Sequence, residues 1–166
     1  MASDQVPRTL SGRSVILAGG SGGIGAAVAR EVASRGGVPV IGYLEDSTRA
    51  DALAAEIKTR YGIASPVVQG DVLDAGVREE LIGTAVAAGA LYGLVPLIGK
   101  PARVPLEDAS EEDFITSTRI NLVAPVLLAR DFAAARAKSD ASVVFVSTMQ
   151  AVGVFPGSTL YAASEF

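Results

Sequence analysis

The run Val15-Ile16-Leu17-Ala18 leads directly into Gly19-Gly20-Ser21-Gly22-Gly23-Ile24-Gly25, and a helical apolar pattern begins at once after it. Glycines so placed let backbone approach a phosphate closely, while the N–H groups of the following helix face the same anion. The cluster has two registers: Gly20, Gly22 and Gly25 give G-x-G-x-x-G, and Gly19, Gly23 and Gly25 give G-x-x-x-G-x-G. A tight turn without a ligand uses the same residues, but the position straight after the first strand favours a dinucleotide.

The chain contains no cysteine and no histidine. Thiolate nucleophiles, disulfides and imidazole bases are therefore excluded, no metal site is expected, and any acid–base chemistry falls to Tyr, Lys or a carboxylate. At the end of the second apolar run stands Gly42-Tyr43-Leu44-Glu45-Asp46. Carboxylates there suit the ribose hydroxyls of NAD, and the absence of Arg or Lys disfavours the 2′-phosphate of NADP. The same acids also suit the first turn of a helix, where the macrodipole stabilises negative charge.

Elements must hold these residues together. Apolar runs at 14–18, 38–43, 66–69, 94–98 and 142–147 read as buried strands. Helical patterns fill the spaces: 23–35, ending at a Gly pair; 47–61, with Ser47 as N-cap; 74–88; and 110–137, where Pro125 marks a bend or a new first turn. Strands alternating with helices imply a doubly wound α/β fold, a parallel sheet of about five strands with helices on both faces.

With 166 residues, 49% of them hydrophobic, the chain suffices for one domain with a real core. Fourteen basic and 18 acidic side chains leave no basic stripe for nucleic acid. The stretch from Met1 to Leu10 has no apolar run followed by a cleavage site. No segment approaches the ~18 apolar residues of a membrane span. The expectation is a soluble cytoplasmic protein, with 1–10 as an N-terminal extension and 11–166 as a dinucleotide-binding domain.

Taken in order, the motifs resemble the short-chain dehydrogenase/reductase family, particularly 3-oxoacyl-carrier-protein reductases and similar ketone reductases. Residues 18–25 are similar to the family's T-G-x-x-x-G-I-G, with Ala18 in place of Thr. Gly70-Asp71-Val72 resembles its adenine-contacting Asp-Val, and Asp113-Phe114 with Ile120-Asn121-Leu122 resembles the helix carrying its asparagine. The resemblance runs from about Ser11 to Ser164. It implies NAD(P), with NAD preferred here, bound by Gly19, Ser21, Gly23, Ile24, Gly25, Tyr43, Asp71, Val72 and Gly99. It implies hydride transfer between the nicotinamide and a ketone or secondary alcohol. Tyr161 would be the acid–base group, Thr148 the anchor of the substrate oxygen, and Asn121 the holder of a water linking the site to solvent. It further implies an oligomer, of like or related chains, paired through the helix containing Asn121 and Leu127.

Three departures accompany the resemblance. Glu165 stands where the family has the lysine that lowers the tyrosine pKa. Pro96-Leu97-Ile98-Gly99 stands in place of Asn-Asn-Ala-Gly, and the sequence stops at Phe166 within the tyrosine helix, where family members continue. They support an alternative expectation, a non-catalytic nucleotide-binding partner subunit of an intact homologue. They also lead to the expectation of an uncovered apolar flank beside the last strand.

Overall fold

The computed structural model describes residues 9–136, 140–153 and 155–165. Five parallel strands form one sheet in the order β3-β2-β1-β4-β5. They are β1 (Arg13–Ala18), β2 (Val38–Tyr43), β3 (Val67–Gln69), β4 (Ala90–Pro96) and β5 (Ser142–Val143). The helices are α1 (Gly23–Ser34), α2 (Ser47–Tyr61), α3 (Ala75–Ala88), α4 (Glu111–Thr118), α5 (Ala124–Ala135) and α6 (Thr159–Glu165). The expected doubly wound fold is therefore present. Most of the proposed extension, and the expected helix end at 137, lie outside the described residues.

Strand alternation divides the core into two layers. Val15 and Leu17 of β1 face α1 and α2, packing with Ala29, Val32, Ile41, Leu53 and Ile57. Ile16 and Ala18 face the opposite way and pack with Leu81, Leu94, Leu128 and Phe132, beneath α3 and α5. Arg78 ties those two helices together. It is 4% exposed and donates to the Asp131 carboxylate at 2.6 Å and to the Val72 carbonyl at 2.8 Å.

Helix starts follow local capping chemistry. Asp46, rather than the expected Ser47, caps α2 by accepting from the Arg49 N–H. Asp74 caps α3, and Ser110 with Asp113 closes a reciprocal capping box on α4. At the far end of α2, Gly62 adopts φ 72°, the left-handed conformation that ends a helix.

Two strands differ from expectation. β4 begins at Ala90 rather than 94, because a bulge lets Ser14 face Leu91 and Val15 face Gly93, which skips Tyr92 and hides the strand periodicity. It ends at Pro96. β5 has only two residues of the six expected, and the cause lies across the ladder. Val144 donates to the Leu94 carbonyl, and in a parallel pair the next bond would run from residue 96 back to Val144. Pro96 has no N–H to give. The bend expected at Pro125 occurs just upstream, as a π-helical turn at Arg119–Val123, and the proline sits in the first turn of α5.

Candidate active site

The sheet reverses its order between β1 and β4, so a crevice opens beyond their carboxyl ends. Sterics decide which glycines the turn itself needs. Gly19 has φ 83°, and a Cβ there would lie 2.6 Å from the Leu97 carbonyl oxygen. One on Gly25 would lie 2.5 Å from the Gly19 carbonyl oxygen. Gly20 is equally confined, 2.7 Å from the Leu17 carbonyl oxygen. Gly23 is different: a Cβ there meets nothing within 4 Å, and the residue lines the crevice. Its lack of a side chain serves the open space and not the packing.

The start of α1 behaves likewise. Its N-cap is Gly22, no side chain caps it and no acid occupies its first turn, whereas α2, α3 and α4 are all capped by side chains. Its uncapped N–H groups at the edge of the cleft suit an anion. The open space at Gly23 and this donor set fit a pyrophosphate.

Two compartments share Gly19, Leu97, Ile98 and Gly99 as a common wall. The outer one, about 550 Å³, is lined by Ser21, Tyr43, Glu45, Asp46, Asp71 and Val72, among others. Asp71 bonds the Leu73 N–H through one carboxylate oxygen at 2.8 Å. Arg49, near in sequence, is turned to Asp46 at 3.8 Å. The inner compartment, about 390 Å³, runs from Gly22 to Gly25 across to Thr148, Tyr161 and Glu165. All nine cofactor-binding residues expected from the sequence line one compartment or both.

Thr148 and Tyr161 come together in the inner compartment. Thr148 ends the stretch after β5 and accepts from the Gln150 N–H at 3.3 Å, which starts a short 3-10 turn. Tyr161 lies in the first turns of α6, with Glu165 one turn further on the same face. Burial pushes the Tyr161 phenol above its ordinary pKa, the Glu165 charge and its hydrogen bond with the phenol push it further, and the Thr148 hydroxyl works the other way. Burial also raises Glu165, against the opposing hydrogen bond with Tyr161. The phenol is thereby held protonated, ready to give a proton rather than take one.

Asn121 stands behind the cleft and not in its lining. Its carbonyl oxygen accepts from the Lys100 N–H at 2.8 Å. Its amide donates to the Lys100 carbonyl oxygen at 3.2 Å and to the Ser164 hydroxyl at 2.9 Å. The Ser117 and Ser164 hydroxyls lie 3.0 Å apart. This buried group joins the loop after β4, the π-helical turn and α6, and so sets the position of the helix that carries Tyr161. Sequence reading left out Ser117, Ser164 and Lys100. Ser117 lies four residues before Asn121, a helical neighbour, and that spacing was the available signal; Lys100 directly follows Gly99 and lines the outer compartment.

A doubly wound sheet with a glycine turn and a crevice at its switch point is the architecture of the Rossmann-like α/β class. The family model described as short chain dehydrogenase matches residues 13–166, and the chain belongs to that family of oxidoreductases. Among its relatives are an uncharacterized oxidoreductase of Methylorubrum extorquens, 30% identical over 94% of this chain, and a hydroxynaphthalene reductase of Aspergillus fumigatus, 31% identical over 94%. A dehydrogenase/reductase from Sinorhizobium meliloti superposes with a TM-score of 0.86 at 29% identity, covering 99% of this chain. A short-chain dehydrogenase/reductase from Serratia marcescens gives 0.85 at 28%, covering 94%. The chain spans 62% and 57% of the two curated relatives and 66% and 64% of the two solved chains. The family as a whole uses NAD(P). No described helix is long and apolar enough to cross a membrane.

Proposed function

We propose that this chain is an NAD(P)-dependent oxidoreductase acting on a ketone or secondary alcohol, with NAD preferred and with reduction the favoured direction. The observation that carries the reading is one cleft joining the uncapped start of α1 to the Thr148–Tyr161 pair. When bound, the nicotinamide supplies the hydride. Tyr161 gives a proton to the substrate oxygen, Thr148 orients that oxygen, and the Asn121 group steadies α6. Gly19, Ser21, Gly23, Ile24 and Gly25 would hold the pyrophosphate half, with Tyr43, Asp71, Val72 and Gly99 around the rest. Glu45 and Asp46 at the outer end support NAD over NADP. The reading treats 11–166 as one nucleotide-binding domain and keeps the cytoplasmic setting expected from the sequence. Exposed Phe114, Ile115, Leu122 and Val126 on α4, the π-helical turn and α5 support pairing with a second subunit.

Glu165 favours a second reading, a nucleotide-binding partner subunit with little turnover of its own, because a carboxylate beside the phenol opposes its ionisation. Calorimetric titration with NADH and NADPH, beside a ketone-reduction assay on the chain and on Glu165→Lys, separates the two. Tighter binding of NADH, with measurable reduction by the unaltered chain, supports the enzyme. Binding with reduction seen only in Glu165→Lys supports the partner subunit, and no binding by either protein ends both readings.

A further inference from the structure

The inner compartment carries an unbalanced charge. Among the described residues its lining is glycines, four aliphatic side chains and the hydroxyls of Ser147 and Thr148, plus two ionisable groups, Tyr161 and Glu165. Among the described residues no Lys or Arg pairs with Glu165. Its carboxylate reaches the wall between the compartments, 3.9 Å from where a Cβ on Gly99 would sit. A partly buried carboxylate whose neighbour is a neutral phenol is poorly compensated and gains most from a cation.

On the function proposed above, a dinucleotide with its pyrophosphate on the start of α1 would put its reactive end in this compartment, which runs from residues 22–25 to Thr148 and Tyr161. The oxidised nicotinamide ring bears a permanent positive charge; the reduced ring is neutral, and the remainder of the molecule is the same. We infer that Glu165 makes this chain select the oxidised over the reduced nicotinamide cofactor, an inference that rests on the dinucleotide binding proposed above. A site that holds the oxidised form more tightly lowers the free energy of the product side of a substrate reduction. The same residue keeps Tyr161 protonated, the state a reduction consumes. Where a lysine would balance the phenolate, the carboxylate thus biases both partners one way.

The test is a calorimetric comparison of NAD⁺, NADH and ADP-ribose, the last as a probe without the ring, on the full chain and on Glu165→Gln and Glu165→Asp. The chain should prefer NAD⁺ to NADH by about tenfold. Glu165→Gln should remove that ratio and leave ADP-ribose affinity unchanged, and Glu165→Asp should retain it. Should Glu165→Gln fail to fold, the unaltered chain is titrated as pH falls through the carboxylate range. The groups facing Glu165 are then Tyr161 on α6, which stays protonated, the uncharged Leu97 to Gly99 after β4, and the uncharged Thr148. The ratio should collapse as the carboxylate protonates. An NAD⁺ to NADH ratio that neither substitution nor pH moves overturns the inference while nucleotide binding stands. Failure of all three ligands to bind overturns the proposed function with it.

Discussion

Gly23 and Gly25 are two residues apart and do different things. A methyl group on Gly25 would meet backbone atoms of Gly19 and Gly20 at 2.5 and 2.7 Å, contacts that no side-chain movement relieves. Gly25→Ala should therefore lose about 2–3 kcal/mol of stability in a denaturant titration. On Gly23 the methyl meets nothing of the protein and occupies the cleft. Gly23→Ala should keep its unfolding midpoint, since Ala suits a helix better than Gly, yet bind dinucleotide at least about tenfold more weakly by calorimetry. Equal loss of stability in both variants would remove the distinction between a packing glycine and a ligand glycine. The sequence offered two registers for this cluster, and periodicity could not choose between them. The Cβ distances do not choose either, since Gly20 and Gly25 of one register are as confined as Gly19 and Gly25 of the other; what folding decides is that a Cβ on Gly22 or Gly23 would meet nothing closer than 3.4 Å, so both face open space.

At the scale of elements, a single imino acid shortens a strand on its neighbour. The ladder between β4 and β5 stops where Pro96 would have to donate to the Val144 carbonyl. Beyond that point Phe145 and Val146 are exposed, along with Val144 itself. Pro96→Ala should extend β5 past Val144. The readout is amide hydrogen exchange, with new protection at the N–H of residue 96. Net stability should move by no more than about 1 kcal/mol, because the gained hydrogen bond is offset by a freer unfolded chain. Absence of protection at residue 96 would mean that something other than the missing donor ends the strand. The uncovered apolar flank expected from the sequence is present here among the described residues. The strand length was misjudged because Val143 to Val146 has strong strand propensity, and propensity carries no information about the partner strand.

Across the whole molecule, the sheet is clasped on one face by the Arg78–Asp131 pair between α3 and α5. The Arg78 guanidinium holds the Asp131 carboxyl below its ordinary range, with Arg130 adding to the effect. A carboxylate with a lowered folded-state pKa stabilises the fold at pH above its unfolded value, and that contribution disappears as pH falls through the folded value. Acid unfolding followed by circular dichroism should therefore show stability declining from the ordinary Asp range downward, and Asp131→Asn should flatten that decline. Arg78→Met should cost about 2 kcal/mol at neutral pH, since the Val72 and Leu73 carbonyls lose their donor while Asp131 keeps Arg130. An acid profile that Asp131→Asn leaves unchanged would place the acid-sensitive group elsewhere.

What the sequence determined alone was what local patterning encodes: apolar runs between amphipathic ones, the glycine turn, and helix ends at Gly. From these came the doubly wound fold and the place of the cleft beyond the glycine turn, while Tyr161 and Thr148, thirteen residues apart, were expected from the resemblance of their motifs to the family and not from patterning. The tertiary structure decided what depends on groups distant in the chain. It assigned Asn121 to a buried bracket with Lys100, Ser117 and Ser164, 21 and 43 residues away for the first and last. Among the described residues it left Glu165 in a compartment whose lining holds no Lys or Arg, and it ended β5 at Val143 because of a proline 47 residues earlier in the chain. Periodicity reports which face of an element is buried. Which hydrogen bonds and charges meet there is fixed only when the sheet order brings those elements together.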